Sequence, residues 1–386
     1  MTAAVPSELA HHSPYSDEEL LYRETVRAFL DREIEPIFEQ LGTDWDSRHA
    51  VWKKAGQAGI LGVSIPEEHG GPGGSAIANI ILSHEIAKSR CYATVGSLFC
   101  TDIATGALLE GGSTELIDYW APRILSGDAI QSMAITEPDA GSDVFAMRTG
   151  AERRGSDYVL NGAKTYITNG DIADMLYVVA KTADQPRGRS LSMFLIDPTR
   201  TGVTRRKLRT MGFPAGNTAE LHFSDVRVPA AQLIGDEGGA MAVMMHSLDH
   251  DRLQIAARAL GQAELAFDLT LRYVKERTAF GRRVFDFQNS QFELASMKAD
   301  IDVGRAFLHE MIRKVRCGLA TPVEGSTAKL WLCDMSSRVL DRCMQLFGGM
   351  GYMDETPISR IYTSNRVLRI YAGTSEIMKQ AIGRSL

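Results

Sequence analysis

From Ser16 onward the apolar positions Leu20, Leu21, Val26, Phe29 and Leu30 recur at helical spacing and stop before Pro36. Ser16 followed by Glu19 is a capping-box pair, in which each side chain takes up a backbone N–H of the first turn, so a helix is expected there. Residues 1–14 read as a tail. Further helices are expected over 47–58, 75–88, 94–109 and 114–125, with the Gly- and Pro-rich run 66–74 as a loop. The period then shortens. Segments 158–170, 175–181, 191–197, 203–208 and 219–228 are short, rich in β-branched and aromatic residues, and separated by turn residues, which predicts a small antiparallel sheet or barrel. From Gly239 the helical period returns in long runs, about 240–277, 287–317 and 323–347, with a shorter C-terminal piece; Gly281, Gly318 and Gly348-Gly349 punctuate them. Short connections between such helices predict a bundle. The fold class is therefore α+β, with a helical domain over 1–130, a β-barrel domain over 131–238 and a four-helix bundle over 239–386.

Composition narrows the function classes. A length of 386 residues suits two or three domains, and 44% hydrophobic with 23% charged residues is the balance of a globular protein with a sizeable core. The net charge of -6 lacks the concentrated basic face that nucleic acid demands. Five cysteines without a Cys-x-x-Cys pair fit reduced thiols in a cytoplasmic protein better than a disulfide framework. The first thirty residues carry Glu8, Asp17, Glu18, Glu19 and Glu24 without a basic start and apolar run, so no signal peptide is expected. No apolar window of about 18 residues could span a bilayer.

Candidate chemistry is scattered. Thr136, Gly141 and Ser142 lie in a turn whose N–H groups and hydroxyls could face an anion or a polar ring, or simply cap the turn. Tyr166 and Thr168 share one face of a strand end, as a ring-binding pair or as cross-strand packing. Arg277, Arg282 and Arg283 near a helix end could hold a phosphate or oppose the helix dipole. His246 and His250 stand four apart without a third ligand, so no metal site is expected. Asp249, Asp251 and Arg252 open a long helix, either as an acid–base candidate or as a structural ion pair. There is no P-loop, no Gly-x-Gly-x-x-Gly after a strand and no Gly-x-Ser-x-Gly elbow.

Taken together, these segments say more. Ala134-Ile-Thr-Glu-Pro-Asp-Ala-Gly-Ser-Asp, Tyr166-Ile-Thr-Asn, Glu276-Arg-Thr-Ala-Phe-Gly, Gln345-Leu-Phe-Gly-Gly-Met-Gly-Tyr and Ile370-Tyr-Ala-Gly-Thr-Ser-Glu-Ile resemble the acyl-CoA dehydrogenase family in order and spacing over about residues 16–386. The resemblance implies FAD held between the β domain and the bundle, usually in a homotetramer. It implies that Met133, Ala134, Ile135 and Thr136 meet the flavin pyrimidine end, Ser142 the pyrophosphate and substrate, and Tyr166, Ile167 and Thr168 the ring edge and N5. It assigns Arg277, Phe280, Gln288, Gln345, Gly348 and Gly349 to the adenosine half, from a neighbouring subunit, and Thr374 and Glu376 to further cofactor contacts.

The implied reaction is α,β-dehydrogenation of an acyl thioester on CoA or a carrier protein, with electron-transfer flavoprotein as acceptor. A carboxylate takes the α-proton while the β-hydrogen leaves as hydride to flavin N5. Many relatives carry that carboxylate as Glu in Tyr-Glu-Gly-Thr, where this chain reads Tyr371-Ala-Gly-Thr374. Ala372 cannot accept a proton, although its backbone N–H can still serve the thioester oxygen. A branch resembling isovaleryl- and long-chain acyl-CoA dehydrogenases instead places the base before the helix arginine, here Asp251 before Arg252. Asp251 is the expected base, Arg252 positions it and touches substrate, and Asp249 belongs to the CoA-binding loop. The segments around Leu98–Thr101 and Met244-Met245 line the acyl pocket in relatives. Two alternatives keep the fold: an oxygen-using flavoenzyme, or a weakly catalytic partner subunit.

Overall fold

The computed structural model describes residues 13–42, 44–97, 99, 102–182, 190–213 and 216–386. Helix α1 (Asp17–Phe29) begins at the expected box: the Glu19 N–H donates to Ser16 Oγ at 3.3 Å, and the Ser16 N–H donates to Glu19 Oε2 at 2.9 Å. It loosens into a π turn over Leu30–Ile34, just short of Pro36, which has no N–H to continue the helical ladder. Then come α2 (Trp45–Gln57), α3 (Ala76–Lys88), α4 (Asp102–Gly111) and α5 (Thr114–Ser126). The helix expected over 94–109 is divided into a single turn, Tyr92–Val95, and α4. Gly96 and Ser97 are poor helix formers, and Gly96 sits so close to the Tyr92 ring that a Cβ would meet it at 2.5 Å.

Strands β1 (Gln131–Ala134), β2 (Gly150–Arg154), β3 (Asp157–Ile167), β4 (Met175–Lys181), β5 (Leu191–Ile196), β6 (Val203–Lys207), β7 (Ala219–Pro229) and β8 (Leu233–Ile234) form one sheet. Its order is β6-β7-β3-β2-β4-β5-β8, with β1 added parallel to β4. Strands β1 and β8 are too short to show period two, β2 (Gly-Ala-Glu-Arg-Arg) carries almost no apolar residue, and none of the three was expected. All of β5, and β4 up to Ala180, is buried on both faces. One face packs on α4, α5 and the start of α6; the other meets the β3–β7 part of the same sheet, which curls over itself.

The bundle comprises α6 (Ala240–Glu276), α7 (Gln288–Arg316) and α8 (Pro322–Phe347), with the shorter α9 (Pro357–Asn365) and α10 (Ser375–Gly383). A second capping box, Thr321 with Glu324, starts α8. Helix α6 is 37 residues long and lies between α3 and α8. Small residues let it pack closely: a Cβ on Gly261 would meet the His84 carbonyl oxygen at 2.6 Å. No helix among the described residues is long and apolar enough to cross a membrane.

Ion pairs tie the N-terminal helices to the bundle. Buried Glu264 on α6 accepts from Arg305 Nε and Nη2 of α7 at 2.9 and 2.7 Å, and Lys88 Nζ of α3 lies 2.8 Å from its other oxygen. His84 bridges Glu264 and Glu85 at 3.3 and 3.2 Å, and Arg27 of α1 donates to Glu85 at 2.7 Å. Burial alone would depress the His84 pKa, but the hydrogen bonds to the two carboxylates outweigh it and raise the value to about 9. Glu85 is correspondingly lowered to about 2, its burial outweighed by His84 and Arg27.

Removing one partner from such a cluster strands buried charge. Glu264→Ala should therefore cost about 3–5 kcal/mol, read as a lowered denaturation midpoint. Because the folded pKa of His84 lies above 6.5, its contribution is complete below that pH and is lost as pH rises through about 9. Between pH 7 and 10 the melting temperature should fall more steeply in the wild type than in His84→Gln; parallel curves would show that His84 does not couple to folding.

Candidate active site

The Thr-Glu-Pro motif is built around a buried ion pair. Lys164 on β3 is fully buried and its Nζ donates to Glu137 Oε1 at 2.7 Å and to the Ile135 carbonyl at 2.9 Å. Glu137 also accepts from the N–H groups of Arg148 and Thr149 at 2.6 and 3.0 Å. Burial pushes Lys164 down to about 8 against the pull of Glu137. On Glu137 burial acts upward, but the Arg148 N–H and Lys164 prevail and hold the carboxyl below its usual range. Two more bonds lock the end of β1 beside the end of β3: the Thr165 N–H donates to the Thr136 carbonyl at 2.9 Å, and Ser132 Oγ donates to the Thr168 carbonyl at 2.6 Å. Tyr166 takes φ +60°, and its ring, 71% exposed, stands out of the core.

Opposite lies one face of α6. Asp251, Gln254, Ile255 and Arg258 fall at i, i+3, i+4 and i+7, so they share a side of the helix. All four are buried, Asp251 to 3% exposure. The third wall is the turn before α10, where Tyr371 and Ala372 lie. Arg258 reaches the Tyr371 hydroxyl at 3.4 Å and the Phe99 carbonyl at 3.5 Å. Ala372 takes φ +48° and Gly373 φ +88°. Among the described residues no acceptor takes the Ala372 N–H. Thr374 then caps α10, its Oγ1 accepting from the Ile377 N–H at 3.3 Å.

These walls enclose one cleft. Of the residues singled out in the sequence, Met133, Ile135, Thr136, Tyr166, Ile167, Thr168, Asp251 and Ala372 line it. Ala134 is buried beneath it, Ser142 is exposed, and Thr374 and Glu376 follow Ala372. Arg252 does not line it; Nη1 approaches the Pro322 carbonyl at the start of α8 at 3.5 Å. Arg277, Phe280, Gln288, Gln345, Gly348 and Gly349 are all exposed and lie outside the cleft, flanking the contact in which the Tyr273 ring stacks on Phe347 at 4.3 Å. The Asp249 side chain and residues Leu98, Cys100 and Thr101 lie outside what is described; Phe99 stacks on Trp52, Met244 is buried and Met245 is half exposed.

Sequence reading missed Ala104, Ser132, Gln254, Ile255, Arg258 and Tyr371 in the lining, and the Glu137–Lys164 pair beneath it. Gln254 and Arg258 had a signal: they are polar residues on the Asp251 face of an otherwise apolar, Ala-rich helix. The lining suits a flat heteroaromatic group, with Ile135, Ile167 and Ala104 for its faces, and the Thr136 and Thr168 hydroxyls and neighbouring peptide edges for its polar rim. An isoalloxazine ring has that character.

Known proteins agree. Residues 16–128, 132–226 and 238–386 match the N-terminal, middle and C-terminal domains of acyl-CoA dehydrogenase, respectively. The chain is 39% identical over 375 residues to the mitochondrial long-chain specific acyl-CoA dehydrogenase of Rattus norvegicus, covering 96% of this chain and 87% of that one. A crystal structure of acyl-CoA dehydrogenase from Geobacillus kaustophilus superposes with a TM-score of 0.90 at 38% identity, covering 96% of this chain and 98% of its own. A glutaryl-CoA dehydrogenase from Mycobacterium smegmatis, solved in complex with FADH2, superposes with a TM-score of 0.87 at 28% identity, covering 96% and 95%. With a cleft shaped for a flavin ring and all three domains matched in order, the chain belongs to the acyl-CoA dehydrogenase family, FAD-binding oxidoreductases acting on the CH–CH group of acyl-CoA.

Proposed function

We propose that Asp251 is the base that removes the α-proton and that the Ala372 N–H receives the thioester oxygen. The observation that carries this reading is their juxtaposition. A buried carboxylate and an N–H without an acceptor among the described residues belong to residues lining the same cleft as the peptide edges suited to the flavin. An acyl thioester lying between α6 and that ring would present its α-carbon to Asp251 and its β-carbon to the opposite wall.

Bound in the cleft, FAD supplies the two-electron oxidant that accepts the β-hydride. The protein supplies the rest. Asp251 takes the α-proton as the α C–H bond breaks, and the charge growing on the thioester oxygen is met by the Ala372 N–H, preset by the turn. Loss of the β-hydride completes the C=C bond of an enoyl thioester. The low polarity of the cleft walls strengthens both interactions. Asp reaches one methylene less far than the Glu of many relatives, so Asp251 depends on α6 holding it close to the substrate.

The substrate is an acyl-CoA, with the same acyl group on a carrier protein offering an identical pantetheine arm; electron-transfer flavoprotein is the proposed acceptor. The assembly is a homotetramer in which Arg277 and Phe280 of one subunit complete the cofactor site of another. Supporting this, Phe280 is 96% exposed and Tyr352 86%, an unusual state for large apolar side chains unless a partner covers them.

Anaerobic titration with butyryl-, octanoyl- and palmitoyl-CoA should bleach the wild-type flavin. Asp251→Asn should bind the same thioesters while reducing at least about a hundredfold more slowly. Equal rates would remove Asp251 as the base. Asp251→Glu should stay within about a hundredfold of wild type, since the carboxylate is kept and only its placement changes. Phe280→Ser should shift the sedimentation profile toward smaller species and weaken FAD retention on dilution; an unchanged profile and FAD content would argue against the shared site.

A further inference from the structure

Lys329 of α8 is 2% exposed and has no carboxylate partner among the described residues. Its Nζ donates instead to three consecutive carbonyls, Tyr371 at 2.5 Å, Ala372 at 3.1 Å, and Gly373. An ammonium has three protons, and all three are used. Lys329 does not line the cleft, so it has neither a spare proton nor a path to give one to substrate.

The bonded carbonyls matter. The Tyr371 C=O and the Ala372 N–H belong to the same peptide unit. A cation hydrogen-bonded to the oxygen end of a peptide draws electron density toward it and makes the N–H at the other end a stronger donor. The same three bonds curl the turn around Nζ. They stabilise φ +48° at Ala372, a left-handed conformation that is unfavourable for a residue with a Cβ. Burial pushes the Lys329 pKa down to about 8, which still leaves the ammonium mostly charged at pH 7.

We propose that Lys329 is a positioning residue for the dehydrogenation: it sets the Tyr371–Gly373 turn and polarises the Ala372 peptide N–H toward the thioester oxygen. This rests on the reading of Ala372 as the oxyanion donor. It also explains how that donor can work without a catalytic side chain at its own position, since the geometry and the charge both come from α8.

The test uses the FAD-loaded protein with its flavin reduced beforehand, so that no hydride can transfer and the bound thioester stays intact. Butyryl-, octanoyl- and palmitoyl-CoA labelled with carbon-13 at the carbonyl are bound, and the labelled C=O stretch is followed by infrared difference spectroscopy. In the wild type the band should lie below its frequency in water. In Lys329→Met it should move back toward the aqueous value, with a loss of roughly tenfold in flavin reduction measured separately and little change in thioester affinity. Lys329→Arg, which keeps a cationic donor, should recover part of the shift, and Lys329→Gln, a neutral donor, less. The two polar variants carry the comparison if the methionine protein loses FAD. A variant that holds FAD and gives the wild-type band and rate would overturn the proposal. A wild-type band at the aqueous frequency would instead show that Ala372 is not the oxyanion donor, a different failure that the same spectrum identifies.

Discussion

The close approach of α6 to α3 is the contact on which the rest of the structure depends. A 37-residue helix with substantial burial on opposing sides cannot be displaced without disturbing the N-terminal helices, the sheet and the bundle together. Gly261 permits the approach, and the cluster of His84, Glu85, Lys88, Glu264 and Arg305 sits beside it. The Asp251 face of the same helix forms one wall of the cleft. As the proposed base, Asp251 gains from such a mounting, because a short side chain can deliver its carboxylate only if the backbone bearing it is held still.

The other two walls follow the same logic with different chemistry. On the β side, a lysine–glutamate pair and two backbone-directed bonds hold the ends of β1 and β3 in register, so the peptide edges facing the cleft are rigid. On the C-terminal side a buried ammonium gathers three carbonyls around itself. In each case a buried polar group is satisfied by backbone partners, and the satisfied network fixes the piece of main chain that faces the ligand. In the proposed reading, peptide groups on these two walls meet the ring and the thioester oxygen, while side chains behind them set the geometry.

Much of this was legible in the residue pattern. The Ser16–Glu19 box marks a helix start, and the boundaries of α6, α7 and α8 fell within a residue or so of their periodic runs, because long amphipathic segments repeat their signal many times. Strand β1 escaped because four residues cannot show an alternation and its partner β4 lies far along the chain, and β2 because Gly-Ala-Glu-Arg-Arg carries almost no apolar residue to mark a buried face. The motif segments identified the family and the cofactor. They did not reveal Arg258 as part of the lining, although its spacing from Asp251 was in plain view.

What the sequence by itself determined is therefore what local pattern encodes: helix and strand identity, their order, the family, and the absence of a carboxylate at Ala372. What only the tertiary structure decided is proximity. Asp251 and Ala372 are far apart in the chain, and Lys329 reaches the Ala372 carbonyl across 43 residues. Nothing in the composition or period of α8 marks that lysine as different from any other. Burial and the convergence of three carbonyls do, and both exist only once α8 and the turn before α10 have packed together. A side chain's chemistry is local, but the company that gives it a role is assembled by packing.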